Sequence, residues 1–255
     1  MPKNVKEKIG IIDFNPDQEP DKRNYVKRIS KLIPRNIECE GLFFKKDFDL
    51  SKYSALILSG SRLSATDYQR MVRDNSIEGE DYVSIERVVK KLSKYQGNMF
   101  GICFGAQLMI HMMGGDLGKI PQTEAGYLEH KLSEDGKRDE VFKNLPASFF
   151  GSQLHSDYVK ILPSGGNVKE AIILATRDNF IHAYKIICKD GSIKYGVQPH
   201  PEMSNKNDAV FLVKVNKSWL QDSIGKIAFD QALLIPPNAD YSLSKVITKF
   251  AESLI

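Results

Sequence analysis

Short apolar runs recur through the first hundred positions, and polar stretches long enough to hold a helix separate them. IGIID at 9–13 is dense in β-branched residues, as a buried parallel strand requires. The polar stretch NPDQEPDKRN follows, and residues 24–33 then read as a helix that ends at Pro34. A second strand is predicted over 37–44. A third lies in YSALILSGS at 53–61, where the apolar run ends in Ser-Gly-Ser and implies a sharp loop. Residues 66–96 are mostly helical in character, with Thr66 or Asp67 available to cap one helix and Ser84 to start another. Residues 98–103 predict a fourth strand. A helix over 104–113 follows at once and stops at Gly114-Gly115. Strand alternating with helix implies a mostly parallel sheet covered on both faces.

The pattern changes after Gly118. GYLEHKL, SFFGSQL, EAIILATR and FIHAYKII are separated by turns and predict antiparallel or mixed strands. IKYGVQPHPE at 193–202 reads as a short strand ending in a loop. Residues 208–233 read as largely helical, with a strand at 210–215 as the alternative. Pro236-Pro237-Asn238 separates a last helix over 243–254, in which Leu243, Val246, Ile247, Phe250 and Leu254 recur at spacings of three and four. No repeat or low-complexity linker appears. The chain therefore reads as an α/β protein: a three-layer αβα sandwich around a mostly parallel open sheet with a small antiparallel addition. Residues 1–218 form the main domain. Residues 219–255 form a helical extension, structural or partner-facing, packed on that domain or on a partner. Trp219, Leu220, Ile224, Ile227 and Phe229 are its other candidate packing residues.

Composition narrows the partners. The chain has 255 residues, 42% hydrophobic and 27% charged, with a net charge of +4, ordinary values for a globular protein. Its basic pairs, such as Lys45-Lys46 and Lys90-Lys91, are scattered, so no nucleic-acid partner is expected. The three cysteines, Cys39, Cys103 and Cys188, form no CxxC, which argues against a zinc knuckle or a thioredoxin-like pair. The start, MPKNVKEKIG, lacks the apolar region of a signal peptide. No window approaches the ~18 apolar residues of a membrane span. A reducing compartment, the cytoplasm, is the expected location.

Two stretches carry candidate chemistry. In GICFGAQ at 101–107, Cys103 stands between two glycines where a strand should turn into a helix. Such a turn can hold a nucleophile in a tight bend, although a thiol there can equally be a buried core residue. In GVQPHPE at 196–202, His200 and Glu202 would point to the same side of an extended segment stiffened by prolines. A thiol needs a paired imidazole to act as a nucleophile, and the imidazole needs a third group to fix its tautomer. Cys39 and Cys188 read as core or edge thiols, and His111 as a satisfied histidine among apolar neighbours. His130 and His182 lack acidic or cysteine residues at close spacing. His155 and Asp157 could pair on a metal, but no third ligand pattern joins them.

Together these residues resemble the class I glutamine amidotransferases over roughly residues 9–215. GICFGAQ matches the family's GxCxGxQ turn, GVQPHPE its motif ending in His-Pro-Glu, LHSD at 154–157 the segment lining the glutamine site, and SGS at 59–61 the oxyanion loop. SGSRLSA looks most like stand-alone members related to the GMP synthase amidotransferase domain, or like gamma-glutamyl peptidases. The resemblance implies a flavodoxin-like fold and a Cys103-His200-Glu202 triad that hydrolyses the side-chain amide of glutamine through a thioester. It also implies an oxyanion hole at the N–H groups of Gly60 (or its neighbour) and Phe104. Gln107 and the backbone around Ser156 and Asp157 would hold the substrate. From the residues themselves, no cofactor and no metal are expected. No ATP-binding signature appears, so ammonia would pass to a separate ATP-dependent synthetase. The alternatives are an independent hydrolase of gamma-glutamyl small molecules and a non-enzymatic regulatory or scaffold protein. A glutamine-derived electrophile should label Cys103 one-to-one by mass spectrometry; labelling of Cys39 or Cys188 with Cys103 untouched would reject the assignment.

Overall fold

The computed structural model describes residues 7–16 and 24–255. The charged start at 1–6 and positions 17–23 of the polar stretch lie outside the described residues. The first half alternates strand and helix: β1 (Lys8–Asp13), α1 (Tyr25–Ser30), β2 (Glu38–Phe43), β3 (Ala55–Leu58), α2 (Ala65–Arg73), α3 (Glu80–Leu92), β4 (Asn98–Ile102) and α4 (Phe104–Met112). The second half runs β5 (Asp116–Leu132), the short α5 (Glu134–Arg138), β6 (Ser148–Ile161), β7 (Val168–Arg177), β8 (Phe180–Cys188) and β9 (Ile193–Val197). It ends with α6 (Lys206–Lys214), α7 (Lys217–Ala232) and α8 (Lys245–Glu252).

The sheet order is β2-β1-β3-β4-β9-β8-β6-β5-β7. The five strands from β2 to β9 are parallel. Alternate side chains of these strands enter different cores, as a two-residue period requires. Ile9, Ile11, Ala55, Ile57, Phe100, Ile102, Tyr195 and Val197 join Tyr25 and Ile29 of α1, Leu212 of α6 and Val246 and Phe250 of α8. Ile12, Leu42, Leu56, Leu58 and Met99 join Tyr68 of α2, Ile85 and Val88 of α3 and Leu108 of α4.

From β9 onward every pairing is antiparallel, and β7 pairs with both β5 and β8. Strands β8, β6, β5 and β7 therefore close on themselves as a small barrel. This corrects the expectation of a mostly parallel open sheet with a small antiparallel addition. The antiparallel strands are the longest in the chain, with β5 at 17 residues and β6 at 14, against 4 to 6 for the parallel ones. Local reading broke β5 at its polar middle, but β5 crosses that stretch through a register shift between Lys119 and Glu124 while staying paired to β6.

Several local expectations shift. Ser64, not Thr66 or Asp67, caps α2, its side chain accepting from Asp67 N. Gly79 precedes α3 with φ 79°, and Ser84 lies inside that helix. Residues 210–215 form no strand: they lie in or directly after α6, whose cap Asn205 accepts from Asp208 N. Gly225, at φ 79°, interrupts α7. Among the extension's candidate packing residues, Leu220 and Phe229 are buried, whereas Trp219 (46% exposed) and Ile227 (78%) face solvent.

The last helix is part of the sheet's own core. Leu243, Val246, Ile247 and Phe250 are buried. The Phe250 ring lies 5.4 Å from that of Phe100, and Thr248 Oγ1 donates to Leu32 O at 2.7 Å. No described helix is long and apolar enough to cross a membrane. Phe250→Ala should lower the unfolding free energy by ~3–5 kcal/mol, the usual cost of emptying a phenylalanine site. Urea denaturation measures this, and a loss below ~1 kcal/mol would show that α8 is only loosely docked.

Candidate active site

Cys103 sits at the junction of β4 and α4 with φ 48° and ψ −109°. A non-glycine residue in such a region costs ~1–3 kcal/mol and persists only where its surroundings hold it. Here Cys103 N donates to Val197 O at 2.8 Å, Gly105 N to Ser59 O at 3.1 Å, and Gln107 N to Cys103 O at 3.0 Å. The flanking glycines serve close packing. A Cβ on Gly105 would lie 2.4 Å from Leu58 O, and one on Gly101 2.6 Å from Ala106 N. They let the first turn of α4 press onto β3 and β4, while the unusual backbone falls on the cysteine itself.

His200 and Glu202 follow β9. His200 N donates to Ser152 O at 2.9 Å. The chain turns at this point, with Met203 N bonded to His200 O. The two side chains therefore meet across a turn and not along an extended segment. His200 Nδ1 lies 2.6 Å from Glu202 Oε1 and both residues are buried, and the Tyr25 ring stacks 6.0 Å from the imidazole. Burial disfavours a charged imidazole, but the Glu202 carboxylate and the negative charge and hydrogen bond of the Cys103 sulfur outweigh it, raising the His200 pKa to about 10.

Gly60 packs beside both groups: a Cβ there would lie 2.7 Å from His200 Cε1 and 3.7 Å from Cys103 Cβ. Ser59 Oγ donates to Gly60 O at 2.8 Å and accepts from Phe14 N at 3.0 Å, which orients the peptide. Phe104 is the first residue of α4, where backbone N–H groups lack helical partners. No acceptor among the described residues takes the N–H of Gly60 or of Phe104.

Gln107, Ser156 and Asp157 line the same cavity as Cys103, Phe104 and His200, a space of about 570 Å³. Their polar groups are largely engaged within the protein. Gln107 Nε2 donates to Asp157 O at 2.8 Å and to Gln198 Oε1 at 3.0 Å. Ser156 Oγ pairs with Thr123 Oγ1 at 2.8 Å. The Asp157 carboxylate accepts from Ser64 Oγ (2.9 Å), Thr66 N (3.0 Å) and Thr66 Oγ1 (2.8 Å), latching the loop after β3 and the start of α2 to β6.

Sequence reasoning missed three features. Gln198, inside GVQPHPE, places Nε2 3.4 Å from Cys103 Sγ. Trp219 lines the cavity from the extension. His155 finds Glu124 and His182 as neighbours, while the Asp157 carboxylate points elsewhere. Gln198 was legible as a polar residue within the motif. The other two depend on chain segments that only folding brings together. Cys188 is buried and Cys39 half-buried, with burial and the charge of Glu38 pushing the Cys39 thiol up. Burial lowers the His111 pKa against a smaller opposing effect of Glu86.

A family profile described as glutamine amidotransferase class-I matches residues 43–216. A GMP synthase [glutamine-hydrolyzing] of Flavobacterium psychrophilum is 31% identical over 216 residues, covering 81% of this chain and 36% of that protein. Gamma-glutamyl peptidase 5 of Arabidopsis thaliana is 27% identical over 176 residues, covering 64% of this chain and 59% of the relative. The chain thus spans little more than a third of the synthase and well over half of the peptidase. The crystal structure of a glutamine amidotransferase from Thermotoga maritima superposes with a TM-score of 0.67 at 15% identity, covering 98% of each chain, and shares the fold.

Because the Cys103 sulfur helps hold His200 charged, Cys103→Ala should lower the His200 pKa, as read by NMR titration of the ring carbons; an unchanged value would show that the two side chains do not interact. The raised folded value also fixes a sign. The stability that the charged imidazole contributes is full below its ordinary value of 6.5 and fades as pH rises through about 10.

Proposed function

We propose that this chain, which belongs to the class I glutamine amidotransferase family, cleaves the side-chain amide of glutamine, or the same bond in a larger gamma-glutamyl compound, through a thioester on Cys103. The observation that carries this reading is the meeting of Cys103, His200 and Glu202 beside the unengaged N–H groups of Gly60 and Phe104, with Cys103, Phe104 and His200 lining a cavity. Cys103 attacks the amide carbon as a thiolate, with its proton held on His200. The carbonyl oxygen becomes an oxyanion stabilised by the two N–H groups, backbone donors that need little reorganisation. His200 then protonates the departing nitrogen, and ammonia or an amine leaves. Water attacks the thioester with His200 as base, the thiol is restored, and glutamate is released. Glu202 keeps the imidazole in the required tautomer.

Two readings follow from what leaves. For glutamine the product is ammonia, and an ATP-dependent synthetase would consume it. The match to about a third of a GMP synthase supports a division of labour in which that second activity lies outside these residues. The cavity supports the other reading. Its volume of about 570 Å³ falls in the range for drug-sized ligands, ~300–1,000 Å³, and is roomier than one amino acid needs. Trp219, Asn216 and Ser218 line it from the region at and beyond the end of the family match. A gamma-glutamyl peptide would fill that space.

Glutamate release from glutamine and from a panel of gamma-glutamyl peptides, with and without candidate synthetases, tests both readings. Cys103→Ser should abolish turnover. His200→Ala should cost more than the ~10²–10⁴-fold of lost acid–base catalysis, because activation of the thiol is lost as well, and Glu202→Gln should cost less. Trp219→Ala should raise KM for a gamma-glutamyl peptide and leave KM for glutamine unchanged. Wild-type turnover in Cys103→Ser would remove the mechanism.

A further inference from the structure

Strands β5, β6, β7 and β8 bring together a buried cluster of polar side chains. His130, Gln153, His155 and His182 are all buried, and Glu124 and Arg177 join them. The cluster draws on all four strands of the barrel. None of these groups belongs to the constellation at Cys103, although His155 also lines the cavity.

One contact fixes the tautomer of a ligand-bearing ring. His155 Nδ1 lies 2.9 Å from the backbone oxygen of Asp157. A carbonyl cannot donate, so Nδ1 carries the proton. The other nitrogen, Nε2, faces Glu124 Oε2 at 3.0 Å. A neutral ring with this tautomer would aim a lone pair at a carboxylate, so a proton or a cation must stand between them. His182 Nε2 approaches the same oxygen at 3.8 Å and has no hydrogen-bond partner among the described residues, although its side chain is only 1% exposed. The three ligand atoms all lie within 4.8 Å of one another. Zinc bonds of ~2.0–2.2 Å set tetrahedral neighbours ~3.3–3.5 Å apart, so modest side-chain adjustment brings the three together.

We propose that Glu124 Oε2, His155 Nε2 and His182 Nε2 bind one zinc ion, with water as the fourth ligand. Two imidazoles and a carboxylate suit a divalent cation of this kind. The outer contacts match what such ligands require. The Asp157 carbonyl fixes the His155 ring. Arg177 holds the other oxygen of Glu124, Oε1, at 2.8 Å. The Gln153 amide lies 3.0 Å from His182 Nδ1 and 3.1 Å from His130 Nε2, and turned by half a rotation it offers both ring N–H groups an oxygen. The ion would tie β5, β6 and β8 together directly behind Ser156 and Asp157 on the cavity wall. This inference does not depend on the substrate proposed above.

Zinc titration by calorimetry on full-length Cys103→Ala, which removes the thiol as a competing ligand, tests it. One equivalent should bind, and the melting temperature should rise. Adding Glu124→Gln or His182→Ala should abolish stoichiometric binding, and Gln153→Leu should weaken it ~10–100-fold. X-ray absorption on the zinc-loaded Cys103→Ala protein, which leaves the cluster intact, should show two imidazoles and only nitrogen and oxygen ligands. That measurement decides the question even where a barrel variant fails to fold. Absence of binding to Cys103→Ala, unchanged affinity after loss of Glu124 or His182, or a zinc shell without two imidazoles would each overturn the site.

Discussion

The close approach of the first turn of α4 to β3 and β4 is the constraint on which the rest of the cavity depends. It exists because Gly101 and Gly105 have no Cβ: either position, if substituted, would drive an atom into backbone at 2.4–2.6 Å. With the helix pressed down, the chain must reverse within one residue, and that residue is Cys103 at positive φ. The same approach sets the start of α4 beside the loop carrying Gly60, where Gly105 N donates to Ser59 O. The strain at Cys103 is offset by hydrogen bonds from both sides, to Val197 of β9 and from Gln107 of α4. The reactive geometry proposed here is thus a by-product of packing between a helix and a parallel sheet. Open α/β sheets commonly place ligands at the carboxyl ends of their strands.

Electrostatics at this point is a contest between burial and pairing. Full burial alone would keep His200 neutral. The Glu202 carboxylate and the charge on the Cys103 sulfur reverse that outcome. A buried charge is stable only in company, so the imidazole depends on both of its partners. Tyr25 from α1 and Ser152 from β6 hold the ring and its backbone in register. Elements far apart in the chain therefore converge on one side chain.

The antiparallel barrel gives the cavity its wall. Asp157 on β6 reaches across to Ser64 and Thr66 and latches the loop after β3 over the site. Gln107 ties the same strand to Gln198, which in turn reaches Cys103. Residues whose types suggest substrate contact thus spend most of their polar groups on holding the wall in place. The last helix closes the core beneath the parallel strands, so the C-terminal segment belongs to the body of the fold.

Much of this was legible without coordinates. The apolar runs marked the inner parallel strands β1, β3 and β4, because a strand buried on both faces is largely apolar. The Gly-x-Cys-x-Gly and His-Pro-Glu stretches singled out Cys103, His200 and Glu202, which the fold brings together although the two stretches lie far apart in the chain. Caps were less visible, since Ser64, Thr66 and Asp67 are all competent and only the path of the chain chooses among them. Closure of the barrel, the latch from Asp157 and the meeting of Glu124, His155 and His182 left no local trace. Each joins positions separated by tens of residues, and their pairing is set by strand register, not by neighbouring sequence. Sequence by itself determined which groups the chain carries and where its elements begin. Tertiary structure alone decided which of those groups face one another, because contact between distant segments is settled by packing of the whole core.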